Sequence, residues 1–148
     1  MMKMETLMHK AQLYCEKHQY RWTEPRERVL RVLANFSSPL GAYEIVSELS
    51  SEDRKVKAPS VYRALEFWLE QGFIHKVDSE NKFMLCSNHD CDGSFFIFVC
   101  QACSRIVETC SKSISKTVFE HGKQMHFNIN SINMEVRGVC VDCHNAAV

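Results

Sequence analysis

Apolar side chains recur at helical spacing through most of the first half of the chain. Leu7, Ala11, Tyr14 and Cys15 share one face and predict an amphipathic helix over about residues 3–18. Thr23 is a suitable cap for a second helix, with Pro25 tolerated in its first turn and Val29, Val32, Leu33 and Phe36 as its apolar face. Ser37-Ser38-Pro39-Leu40-Gly41 breaks that helix. Tyr43, Ile45, Val46 and Leu49 mark a third, and the polar stretch 50–57 reads as a loop. Pro59 suits the first turn of a fourth helix, whose stripe is Val61, Leu65, Trp68 and Leu69, with Tyr62, Arg63, Glu66 and Glu70 off that stripe. Gly72 is placed to stop it. FIHKVD (73–78) and KFMLC (82–86) then read as two strands around Ser79-Glu80-Asn81. Short helices closed by a hairpin give the order of a winged helix-turn-helix.

The pattern changes in the second half. FFIFV (95–99) and RIVET (105–109) read as strands, Ile114, Val118, His121 and Met125 mark a helix over about 113–125, and Ile132, Met134 and Val136 alternate as a last strand. The order is β-β-α-β, with a C-x-x-C pair expected at each of two strand ends. The fold class is α+β: a winged-helix domain over 1–82, a hinge at about 79–88, and a small α/β domain over 83–148.

Composition narrows the function. The chain has 148 residues, 45% hydrophobic and 24% charged, with a formal net charge of zero. Any attraction to nucleic acid must therefore be local. The N-terminus is charged throughout and carries no apolar core of a signal peptide. No run approaches a membrane span. The expected location is the cytoplasm, where thiols stay reduced, so eight cysteines point to metal or redox chemistry rather than to a disulfide framework.

Seven of those eight cysteines lie in the second half, and four form two matched pairs, Cys100/Cys103 and Cys140/Cys143. A two-residue spacing lets both thiolates of one tight turn face one metal, and two pairs supply the four soft ligands of a structural tetrahedral zinc. The string CVDCH (140–144) also matches haem attachment, but that leaves Cys100 and Cys103 unexplained. A thioredoxin-like centre needs one pair opening a helix in a βαβ setting. Buried thiols are the plain alternative, and two matched pairs weigh against it. His144 is read as a neighbour of the site. Cys15, Cys110, His121 and His126 are read as packing or surface residues.

PSVYRAL (59–65) on a helix, IHKV (74–77) in a hairpin and the two C-x-x-C pairs together resemble the ferric uptake regulator family, from about Tyr20 to Cys143. The stretch EQGFIHKVDSENKFMLC (70–86) is similar to the zinc uptake branch of that family. So is the stretch before Cys100, which lacks a His-His-Asp-His cluster. The resemblance implies a homodimer that binds a pseudo-palindromic double-stranded DNA operator and represses zinc-uptake genes when zinc is plentiful. It implies no enzymatic activity, no membrane association and no small-molecule substrate beyond the metal ion. It also implies a regulatory zinc site built from His75, Cys86 and Glu108. The family histidine seven residues before the first paired cysteine is replaced here by Gly93, so His89 is the expected fourth ligand, with Cys91 as its alternative and Asp90 behind both. Structural and regulatory sites together would hold about two zinc ions per subunit.

DNA contacts are expected on the fourth helix. Arg63 can bridge guanine O6 and N7 in the major groove. Tyr43 matches a DNA-contacting tyrosine of the family. Ser60 and Tyr62 can reach phosphate or a thymine methyl, and Arg54, Lys55 and Lys57 form a basic run for phosphates. Arg21 and Arg26 flank Thr23 and are expected to add backbone contacts. Two other readings stay open: a regulator of the same fold that senses redox state or another metal, and a zinc enzyme, which would need an open water position on its metal.

Overall fold

The computed structural model describes residues 3–51, 56–86 and 94–146. The chain divides into two compact units, 1–87 and 88–148.

The first unit carries four helices and a hairpin: α1 (Met4–Lys17), α2 (Glu24–Asn35), α3 (Ala42–Ser50), α4 (Ala58–Glu70), β1 (Ile74–Val77) and β2 (Lys82–Leu85). The helix starts follow local chemistry. Thr23 caps α2, its side chain accepting the Arg26 N–H at 3.4 Å, with Pro25 in the first turn. The Glu44 carboxylate accepts the Gly41 N–H at 3.2 Å and caps α3. Gly72 at φ 77° ends α4 in the left-handed conformation that glycine adopts without a Cβ clash. One core joins all of these elements, centred on Val29, Leu30, Ile45, Leu49, Val61, Leu65, Trp68 and Ile74. The expected apolar stripes of α1 and α4 are buried or half-buried in it. Phe36 is not: it lies past the end of α2 and stays exposed.

β1 and β2 pair antiparallel, His75 opposite Met84. Leu40 exchanges backbone hydrogen bonds with Phe83, so the chain before α3 adds a bridge to the hairpin. This is the winged helix-turn-helix that the element order predicted.

The second unit contains β3 (Ser94–Cys100), β4 (Ile106–Thr109), α5 (Lys112–Gln124), β5 (Ile132–Gly138) and α6 (Val141–Ala146). Its sheet has the order β4-β3-β5, antiparallel on one side of β3 and parallel on the other. The parallel partner requires a crossover, and α5 supplies it. Ser111 caps α5, its hydroxyl accepting the Ile114 N–H. The second C-x-x-C pair differs from expectation. Cys140 follows β5, but Cys143 sits on α6, a short helix that its six residues were too few to announce.

Candidate metal centre and nucleic-acid interface

Cys100 closes β3, and Cys103 lies in the turn that follows. That turn needs a left-handed residue, supplied by Ser104 at φ 61°, and the Ser104 N–H donates to the Cys100 carbonyl at 2.9 Å. Gln101 N–H donates to the Gly138 carbonyl at 2.8 Å, which ties the first turn to the end of β5 just before Cys140. His144 N–H donates to the Cys140 carbonyl at 2.9 Å within α6. The parallel register, Cys100 opposite Gly138, thus brings together two pairs remote in sequence.

The four sulfurs lie within 4.8 Å of one another, with Cys103 and Cys140 3.9 Å apart. A tetrahedral zinc with bonds of ~2.3 Å places its sulfurs ~3.8 Å apart, so the donor set fits such an ion. The cluster also polarises its own thiols. Backbone hydrogen bonds, first from the Cys140 N–H at 3.3 Å and then from Cys103, lower Cys100 to about 6. Hydrogen bonding with the Cys140 and Cys103 thiols raises Cys143 to about 12. The Arg105–Asp142 pair across the two turns, at 3.4 Å, is exposed and contributes little. The His144 side chain is exposed on α6 and is not part of the sulfur cluster.

A second set of donors begins in the first unit. Cys86 follows β2, and its N–H donates to the Phe73 carbonyl at 2.9 Å. Phe73 and Cys86 therefore continue the hairpin register by one pair, which puts His75 and Cys86 diagonally adjacent on one face. Their ligand atoms lie within 4.8 Å of each other. Glu108 is on β4 of the second unit, half-buried and opposite Ile97. Ile97 also pairs with Glu135 on β5, so both carboxylates share one face of the sheet. Sequence reading passed over Glu135, although the alternation of Ile132, Met134 and Val136 already places it on the opposite face from theirs. His89, Asp90 and Cys91 lie outside the described residues, as do Arg54 and Lys55.

Of the remaining cysteines, Cys15 packs in the core as expected, and Cys110 departs from expectation. Cys15 is a buried free thiol, and burial raises its pKa. Cys110 is disulfide-bonded, whereas the six other described cysteines take no part in a disulfide. Spacing could not foretell that bond, because Cys110 belongs to no local pair.

On the recognition side, α4 presents Tyr62 and Arg63 to solvent, Ser60 half-buried, and Lys57 exposed as its N-cap residue. Tyr43 at the start of α3 is 84% exposed, too open for a packing residue. Arg21 is exposed. Arg26 is engaged within the protein: its guanidinium carbon lies 3.6 Å from the centroid of the Phe67 ring, and its Nη1 donates to the Arg21 carbonyl. Arg28, which sequence reading left unassigned, donates from Nη2 to the Leu49 carbonyl at 3.1 Å and so closes the C-terminal end of α3. No described helix is long and apolar enough to cross a membrane.

A winged-helix unit followed by a sheet unit with a four-cysteine cluster defines a two-domain transcriptional regulator. The chain belongs to the ferric uptake regulator family, whose model matches residues 17–137. It is 31% identical over 140 residues to the zinc uptake regulation protein of Escherichia coli K12, covering 94% of this chain and 82% of that one. Its fold matches a zinc uptake regulator complexed with zinc and DNA at a TM-score of 0.85 and 30% identity, over 99% of both chains. It matches the crystal structure of holo XcZur at 0.79 and 30% identity, over 95% of this chain and 97% of that one.

Proposed function

We propose that this protein is a zinc-responsive transcriptional repressor that binds operator DNA as a homodimer and controls zinc-uptake genes. The observation that carries this reading is the likeness, over 99% of both chains, to a zinc uptake regulator complexed with zinc and DNA. The reading assigns no catalytic role to any residue and places the protein in the cytoplasm with its DNA.

Two zinc sites with separate tasks follow from the donors. Cys100, Cys103, Cys140 and Cys143 hold a structural ion that cross-links two turns of the second unit. A regulatory ion is held by His75 and Cys86 of the wing, Glu108 of the second unit, and His89 of the connecting segment. Imidazole, thiolate and carboxylate together suit zinc. Ligands drawn from both units converge in only one arrangement, so occupancy favours that arrangement by mass action. In a homodimer this sets two recognition helices to the spacing of two half-sites, one helical turn or ~34 Å in the simplest case. Arg63 and Tyr43 read bases, while Ser60, Tyr62, Lys55, Lys57 and Arg21 contact phosphates or thymine methyls.

The test is a binding titration on a duplex that the protein itself enriches from a random pool. Free zinc, iron and manganese are buffered separately. Binding should switch on with zinc, at about two ions per subunit, and Cys86→Ser should abolish the zinc response. An unchanged response in Cys86→Ser would remove Cys86 from the site. A switch driven by iron or manganese would reassign the sensed metal, and loss of binding with zinc ejection under mild oxidation would mark a redox sensor instead.

A further inference from the structure

We infer that Arg26 is a positioning residue for the recognition helix, acting through Phe67, rather than a contact to DNA; this rests on the regulator reading above. Its guanidinium covers the Phe67 ring at 3.6 Å, a cation–π distance, and Phe67 is buried. The Arg26 carbonyl accepts the indole N–H of Trp68 at 2.9 Å, and Trp68 is wholly buried. One residue of α2 thus holds two successive residues of α4, one by its side chain and one by its backbone. Phe67 is fixed further by edge-on contacts with Tyr20 at 5.3 Å and Trp68 at 4.8 Å. The Thr23 cap fixes Arg26 in turn, because it accepts the Arg26 N–H.

Phe67 stands one turn beyond Arg63 on the same side of α4. Whatever sets the roll of the helix at Phe67 also aims Arg63. A roll of about 10° moves a side-chain tip about 1 Å at the ~5–6 Å radius of a helix with its side chains. That displacement suffices to lengthen a base contact beyond hydrogen-bonding range. Thr23, Pro25 and Arg26 line one side of a groove whose other side is Ser60, Arg63 and Ala64, so this junction adjoins the residues that read DNA. Arg26 gives its face to Phe67 and its Nη1 to the Arg21 carbonyl, so turning the group toward a phosphate would give up both contacts.

The experiment uses the full chain with zinc, the duplex enriched by the wild-type protein, and a scrambled duplex of the same composition. Arg26→Gln and Phe67→Leu should each weaken binding to the enriched duplex about tenfold, the scale of one cation–π contact. The double variant should be no weaker than either single one, because the two residues act as one unit. Binding to the scrambled duplex and the salt dependence should stay at wild-type values. Arg26→Lys keeps the charge but loses the flat guanidinium, so it should recover only part of the affinity. Three results would overturn the assignment: a salt slope reduced by about one unit in Arg26→Gln, wild-type affinity in Arg26→Lys or Phe67→Leu, or losses that multiply in the double variant. If the wild-type protein enriches no duplex with zinc, the regulator reading falls and this assignment with it.

Discussion

Cys100 and Cys143 occupy one cluster yet sit far apart in acidity, near 6 and near 12. The cause is the direction of the hydrogen bonds: Cys100 receives backbone N–H groups that favour its thiolate, and Cys143 shares thiol bonds that retain its proton. At neutral pH, Cys100 is already a thiolate in the metal-free protein, while Cys143 must still lose a proton to bind zinc. Zinc affinity should therefore rise with pH across the neutral range, and calorimetry in buffers of different ionisation enthalpy should register proton release. An uptake of zinc with no proton release would contradict that account. Cys140→Ser removes one sulfur and should cost the second unit its tight zinc. Metal analysis should then show one ion fewer per subunit, and thermal unfolding should show a lower midpoint for that unit; a stable, metal-replete variant would rule out the site. These four cysteines were legible in the sequence because ligand spacing is local. Arg26 was not, because its partner Phe67 is on another helix, and an arginine beside a helix cap looks the same whether it faces a phosphate or a ring.

Elements were legible wherever a period ran long enough to be seen. The stripes of α1 and α4, the Thr23 cap and the Gly72 stop all appear where the pattern put them. α6 has six residues and none buried, so it leaves no period to detect. Periodicity also says nothing about pairing, so the parallel register of β5 with β3 emerged only from the fold. Two elements invite direct tests. On α4, Arg63→Ala should weaken binding to the preferred duplex by about 1–3 kcal/mol and relax discrimination at one base position. Competition with single-base variants of that duplex measures both effects. On α5, Gly122 is buried, and a Cβ there would meet Ile129 Cδ1 at 2.5 Å and the Phe127 carbonyl oxygen at 3.2 Å. The Phe127 N–H also donates to the Gly122 carbonyl at 2.8 Å, so the chain after the helix is folded closely against it. Alanine normally improves a helix interior by about 1 kcal/mol over glycine. Here the overpacking outweighs that gain, and Gly122→Ala should lower stability by about 1–3 kcal/mol. Denaturant unfolding gives the sign directly.

For the whole molecule, the three-stranded sheet presents an unusual row. Val107, Phe98 and Val136 stand side by side across β4, β3 and β5, because Phe98 pairs with both of the others. They are 46%, 47% and 37% exposed in the single chain. Phe98 is on the central strand, where both edges are already paired and a large apolar side chain is normally covered. Scattered exposed apolar residues need no explanation, but a contiguous row on a sheet face marks an interaction surface. The repressor reading supplies the cover: a second copy of the chain, related by the two-fold axis that a pseudo-palindromic operator requires. Phe98→Glu should therefore yield a monomer by light scattering. It should remain folded, because the exposed side chain adds little to the packing of one chain, within about 0.5 kcal/mol. The unfolding midpoint of the wild-type protein should rise with protein concentration, and that of Phe98→Glu should not. Operator affinity should fall steeply, since each half-site would be bound by an unlinked winged helix and the second binding event would no longer be intramolecular. A Phe98→Glu protein that remains dimeric and binds its duplex normally would show that the subunits meet through another surface.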